Sequence, residues 1–298
     1  MNSVRFVLAE AWNEFRAGLR GPMLPLCFAG LVAYLFFMVL NAEYMREVGG
    51  TSVPRNSPGI VYLVLPAQCL WLFFAWAWLF AQVVARDRTA SLHEVVLAAP
   101  VSLRLLLFGR YLGAAGLACL LSAGLPVGFA LMPLLVPLGL LPPEAVGPTP
   151  WFALAHSMAL FIVPGTLGLG ALFVWAAVRT RGSRGPFALA AAVMLVWMIA
   201  LSIIRGTEAH LEVASMLDPA GFSEVEEQTL LWTPQEKRTS ALVHTAPLVV
   251  NRLLWLFGPL LFSVLALARL RREQLTLERA PNRKARPGGR PGSNRAAV

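Results

Sequence analysis

Six stretches of this 298-residue chain run for about 20 residues or more with almost no charge in them, and that pattern leaves few folds open. A helical run of that length matches the hydrocarbon core of a bilayer, about 30 Å thick. Lipid offers no hydrogen bond to an open peptide group, so each run is expected to be a helix that satisfies its own backbone. The spans are placed at about 22–41, 59–84, 105–138, 151–178, 186–204 and 248–268. Composition agrees: 57% of the residues are hydrophobic and 14% are charged, against roughly 25% charged in soluble domains. The chain reads as an all-α polytopic membrane protein. The expected units are an interfacial helix over 1–20, a six-span bundle over 21–270 and a basic, disordered tail over 271–298.

The third span is too long for one straight crossing, and Pro126, Pro133 and Pro137 predict a kink or break within it. Cys27, Cys69 and Cys119 all fall in apolar runs and read as small packing residues. No cleavable signal peptide is recognisable in the first apolar cluster, which Glu10, Asn13, Glu14 and Arg16 interrupt.

Orientation follows from the basic residues. The N-terminus, the 85–110 loop, the 179–185 loop and the tail from Arg269 hold 19 of the 25 lysines and arginines. The opposite loops hold Arg46, Arg55, Arg205, Lys237 and Arg238, with Arg252 inside the sixth span. Both termini are therefore expected in the cytoplasm. The net charge of +9 is read as topology and contact with anionic lipid, not as nucleic-acid binding.

Within residues 1–20, Val4, Leu8, Ala11, Trp12, Phe15 and Leu19 recur at helical spacing, while Arg5, Asn13, Arg16 and Arg20 lie off that stripe. The pattern predicts an amphipathic helix on the inner leaflet, with Trp12 and Phe15 as its interfacial anchors. On the other side, residues 205–247 form the one sizeable polar segment. Asp218–Pro219 and Thr233–Glu236 each place a capping residue before a proline at the first helical position, and short helices are expected there. This loop is either a lid or a contact for substrate or an extracytoplasmic partner.

Several chemistries are excluded. Neither Lys237 nor Lys284 follows a glycine-rich phosphate loop, and no nucleophile elbow is present, so no catalytic or nucleotide-binding role is expected of this chain. His93–Glu94 begins a zinc-protease pattern, but Leu97 stands where its second histidine belongs, and no metal or other cofactor is expected. None of the six spans contains Asp or Glu, which an ion-coupled carrier needs as a relay. Gln68, Gln82, His156 and Ser202 read as links between helices. The aromatic residues crowded into the second span, among them Trp71, Phe73, Trp76 and Phe80, read as packing and interface anchoring, with a lipid-like route as the alternative.

The loop "RDRTASLHEVVLAAPVSLR", Arg86 to Arg104, carries helix signals of its own. Ser91 and Glu94 form a capping box, Pro100 stops the helix near Ala99, and Ser102 is placed to cap the next span. Leu92, Val95, Val96 and Ala99 make an apolar stripe on a rod of about 12 Å. Such a rod either docks into a partner's groove, with flanking charges fixing the register, or simply joins two spans anchored by Arg86, Arg88 and Arg104.

"RDRTASLHEVVLAAPVSLRLLLFGRYLG" resembles the stretch after the second span in exporter-type (type-2) ABC-transporter permeases. There an Arg/Glu-rich turn leads to a T-x-E-x-L-L-x-x-P helix and then to Gly-Lys/Arg. Ser91 and Glu94 lie within that pattern, Leu97 and Pro100 match its end, and Gly109–Arg110 match the Gly-Lys/Arg; Thr89–Ala90 stands where the family carries a glycine. Leu217 to Trp255 resembles the outer loop and last span of large bacterial permeases of the same family.

The resemblance implies a six-helix permease subunit of a bacterial inner-membrane exporter. It implies pairing with a second copy or a sister permease, and with two cytoplasmic ATPase subunits that bind ATP and Mg. The helix at 91–100 would be the coupling helix. Leu92, Val95, Val96 and Leu97 are then expected to dock, with Arg86, Asp87, Arg88, Ser91, Glu94 and Pro100 shaping the contact and His93 beside them. A subunit that anchors or signals through such an ATPase without moving solute shares every one of these features.

Overall fold

The computed structural model describes residues 3–49, 52–89, 102–206 and 215–268, with the backbone alone at 48–49, 87–89 and 203–206. The expected helix at 91–100 and the tail at 271–298 lie outside the described residues. Among the described residues every regular element is helical.

Helix α1 (Ser3–Arg20) precedes α2 (Met23–Leu40), the first span, which leads into the short α3 (Ala42–Gly49). The second span is α4 (Pro58–Thr89). The third comprises α5 (Leu103–Ser122), α6 (Gly124–Leu131) and a 3₁₀ turn at Met132–Leu135. The fourth comprises α7 (Trp151–Ser157), a π-helical stretch at Met158–Ile162 and α8 (Val163–Thr180). The fifth is α9 (Arg184–Gly206). Two short helices, α10 (Phe222–Leu230) and α11 (Pro234–Thr239), come before α12 (Ala246–Ala268), the sixth.

Among the described residues, six helical stretches are long and apolar enough to cross a membrane: Met23–Leu40, Pro58–Arg86, Leu103–Leu135, Trp151–Thr180, Arg184–Ser202 and Ala246–Ala268. They coincide with the six expected spans, each end within three residues. The face that carries α1 and the junction of α4 with α5 is called the basic face below; the opposite one is the far face.

Prolines set the irregularities. Pro126 has no N–H to give the Ser122 carbonyl and its ring crowds that oxygen, so α5 ends at Ser122 and α6 starts two residues later. Pro133 lies in the first turn of the 3₁₀ segment that ends the span. In the fourth span Pro164 deprives Leu160 of a donor, and the preceding turn widens into the π-helical stretch. Thr166 Oγ1 returns a hydrogen bond to the Ile162 carbonyl at 2.6 Å.

Helix α4 is the centre of the bundle and packs against α5, α8 and α9. Its Tyr62, Phe73, Trp76 and Phe80 are fully buried, whereas Trp71 is exposed. The aromatic crowding of this span is mostly core packing. Trp76 Nε1 donates to Ser122 Oγ at 2.9 Å, and that hydroxyl donates to the Ala118 carbonyl at 2.7 Å. The knot lies just where α5 breaks. Helices α8 and α12 approach until their backbones meet: a Cβ on Gly168 would lie 2.0 Å from the Trp255 carbonyl oxygen.

The polar residues expected to link helices behave differently from one another. His156 does bridge, through Nδ1 to Tyr62 Oη and through Nε2 to His244 Nε2, each at 2.9 Å. Ser202 instead donates to the Met198 carbonyl of its own helix at 2.8 Å. Gln68 is buried with its Oε1 unpartnered among the described residues.

On the far face the capping box at Thr233 is present, with Glu236 N donating to Thr233 Oγ1 and Thr233 N donating to Glu236. The Thr233 amide and hydroxyl, both donating to Glu236 Oε2, hold its carboxyl below its ordinary pKa. Asp218 departs from expectation. No helix starts at Pro219; the buried carboxylate instead accepts from the amides of Ala220, Gly221 and Ser223 and from Ser223 Oγ, and α10 begins at Phe222. Four donors on one carboxylate outcompete a proline start three residues earlier.

Ser122→Ala leaves the Trp76 indole N–H buried without an acceptor at the break in the third span. A loss of about 1–2 kcal/mol is expected, read as a lower melting temperature in detergent, whereas Ser202→Ala, which removes only a bond within α9, changes it little.

Candidate functional site

Helix α1 makes its most extensive contact with α5, the helix that opens the third span. Two glycines one helical turn apart, Gly109 and Gly113, allow it. A Cβ at Gly113 would lie 2.4 Å from the Ala11 carbonyl oxygen, and one at Gly109 would lie 2.9 Å from that of Val7. Backbone therefore lies directly on backbone, an approach that small residues at four-residue spacing permit.

The side of α1 facing the bundle carries Val7, Glu10, Ala11 and Glu14, and both acids are paired. Arg86, at the end of the membrane-crossing part of α4, donates through Nη2 to Glu14 Oε2. Arg110, in the second turn of α5, donates through Nε to Glu10 Oε1 at 2.8 Å and through Nη1 to the Val83 carbonyl at 3.2 Å. One arginine stands before the 90–101 segment and the other after it. Helix α1 thus closes a clasp across the two arms that hold that segment.

The pairs differ in exposure. Glu14 is 3% exposed and Arg86 37%; Arg110 is 9% exposed and Glu10 19%. Burial pushes the Glu14 carboxyl above its ordinary value of 4.5, and the nearby Arg86 and Arg110 pull against that rise without cancelling it.

Of the residues expected to act here, Arg86 takes part in the clasp, and Asp87 and Arg88 lie in the last turn of α4. Ser91, Leu92, His93, Glu94, Val95, Val96, Leu97 and Pro100 lie outside the described residues. Ser102 does occupy the N-cap of α5, but its hydroxyl makes no capping bond. Arg104 ties the start of α5 to the end of α12 by donating to the Ala268 carbonyl at 2.6 Å.

The apolar stripe of α1 points away from the bundle: Val4, Leu8 and Trp12 are 62%, 60% and 56% exposed. Trp12 stacks on Phe15 at 5.9 Å, and the Arg16 guanidinium lies over the indole. Ala11 and Phe15 leave the stripe: the Ala11 carbonyl packs against Gly113, and Phe15, expected as an interfacial anchor, is partly buried against the core beside Gly116.

Glu10, Glu14, Gly113 and the pairing role of Arg110 are absent from the sequence expectations. Their signal is present all the same: two acids four residues apart on the side of α1 opposite its stripe, and a Gly-x-x-x-Gly spacing at the start of a span. Among the described residues no group of three His, Cys, Asp or Glu side chains could hold a metal ion. In comparisons with known proteins, no protein-family model and no curated protein matches the chain.

Because the packed state raises the Glu14 pKa, the carboxyl favours docking of α1 most below its ordinary value of 4.5. That contribution fades as pH climbs through the raised value. Hydrogen-exchange protection of α1, corrected for intrinsic rate, should fall as pH rises above 4.5. In Glu14→Gln it should stay flat, while Arg86→Ala should lower it most at the upper end, where the buried carboxylate has lost its partner.

Proposed function

We propose that this chain is the permease subunit of an ATP-driven transporter of exporter type, set in a bacterial inner membrane with both termini in the cytoplasm. It pairs with a second copy or a sister permease and with two ATPase subunits, which carry the ATP and Mg. The observation that carries this reading is the clasp: Glu14 with Arg86 and Glu10 with Arg110 join α1 to both arms of the 91–100 segment.

Two arms joined only by a loop would splay when the loop is pushed. Arms bridged by α1 keep their separation, so a push tilts α4, α5 and α1 together. In the resembling family, the pushing group is an ATPase cleft that grips the segment between these spans. Leu92, Val95, Val96 and Leu97 supply the apolar knob for such a cleft, and Arg86, Asp87, Arg88 and Glu94 surround it with charge.

The exposed stripe of Val4, Leu8 and Trp12 rests on the inner leaflet. Burying a large apolar side chain contributes about 1.5–3 kcal/mol, so three partly immersed ones give α1 a footing worth a few kcal/mol. Motion reaches the core through α4, whose Trp76 is hydrogen-bonded to Ser122 at the break in the third span. The spans hold no carboxylate, which fits a bundle driven from outside rather than by an ion gradient.

Leu92→Asp and Val96→Asp place a charge in the docking stripe. Each should release a P-loop ATPase that co-purifies with the tagged native chain, by tenfold or more on the usual cost of burying an unpaired charge, while membrane insertion is unchanged. Undiminished co-purification of the double variant contradicts the docking role, and ATP-dependent association without any flux in vesicles favours an anchoring subunit.

A further inference from the structure

The far face carries few basic residues, yet three of them converge. Arg46 on α3, Arg55 in the 52–57 loop and Arg238 on α11 line one cavity of about 520 Å³, joined by Glu144 from the 3₁₀ turn at Pro143–Ala145. Residues far apart in sequence meet here, and they do so on the side where the charge bias of membrane proteins disfavours arginine. Topology gives no reason for the cluster.

Two of the arginines are held, and the charge of none is cancelled. Arg55 donates through Nη1 to the Val39 carbonyl at 2.5 Å, and its own amide donates to the Ala145 carbonyl at 2.8 Å. Arg238 donates through Nη2 to the Ser52 carbonyl. Asn56 bonds both the amide and the carbonyl of Gly147 at 2.7 Å each, which fixes the two loops that form the wall. Carbonyls orient a guanidinium without neutralising it, and each guanidinium keeps further N–H donors. No salt bridge within 4 Å involves these arginines among the described residues, so Glu144 offsets one of three charges without pairing with any.

We infer that this cavity is a binding site for a phosphate group. The lining side chains leave about two positive charges, which suits a phosphate monoester carrying about −1.5 to −2. Guanidinium forks match phosphate oxygens in pairs. The Val39 carbonyl that holds Arg55 belongs to the last turn of the first span, so the cavity lies at the depth of lipid headgroups. Its volume takes a phosphate together with the group that bears it. The source is a phosphorylated lipid headgroup or a soluble phosphate, and the site needs nothing from the ATPase on the other face.

The test uses the full chain in detergent, with dihexanoyl phosphatidic acid and inorganic phosphate as separate probes and melting temperature as readout. Stabilisation by the lipid alone assigns a headgroup site, and stabilisation by both probes assigns a site open to soluble phosphate; either supports the inference. Affinity should drop about tenfold or more for each arginine removed in Arg46→Gln and in Arg46→Gln with Arg238→Gln, and should weaken as salt rises. The Arg46 side chain makes no hydrogen bond among the described residues, so its single variant keeps the test open if the double variant folds poorly. Stabilisation by neither probe, or equal stabilisation of native and Arg46→Gln proteins, overturns the inference.

Discussion

Hydrocarbon offers nothing to an unpaired peptide group, and the architecture of this bundle is a response to that single fact. Helices satisfy most groups, and the instructive places are those where a helix cannot. Pro126 costs the third span a hydrogen bond, and beside that break the hydroxyl of Ser122 accepts from Trp76 and donates to the Ala118 carbonyl, tying the second span to the third. Pro164 does the same to the fourth span, where the preceding turn widens into a π-helical stretch. Tyr111 reaches across from α5 to the Leu167 carbonyl of α8 at 2.7 Å. Even Arg252, buried in a span, is satisfied by the Asn251 side chain and by the carbonyls of Asp218 and Pro219, with its guanidinium over the ring of Phe161.

The two faces use charge in opposite ways. On the basic face, Glu10 and Glu14 meet their arginines directly, and a carboxylate as enclosed as Glu14 is tolerable only with Arg86 beside it. On the far face, Arg55 and Arg238 are held by carbonyls that leave their charge intact. Direct pairs fasten helices together.

What could be read beforehand tracks how local each signal is. The spans were legible because hydropathy over about 20 residues is a one-dimensional property. The stripe of Val4, Leu8 and Trp12 and the capping box at Thr233 depend on neighbours a few residues away and were equally plain. Asp218 was misjudged because its carboxylate chose amides further along the chain over the proline beside it. The clasp was missed because its partners are 72 and 100 residues apart, and the acids of α1 looked like mere interruptions of an apolar run. Ser202 could not be told from a bridging residue, since facing a neighbour and bonding to its own helix are identical in sequence.

Where Gly113 meets the carbonyl of Ala11, no layer of side chains separates the two helices. Side chains act as springs: they rotate, and a joint built on them has slack that must be taken up before one part moves the other. A joint of main chain on main chain has almost none. Whatever displaces α5 near this point displaces α1 by the same amount and at the same moment, so small movements there arrive undamped.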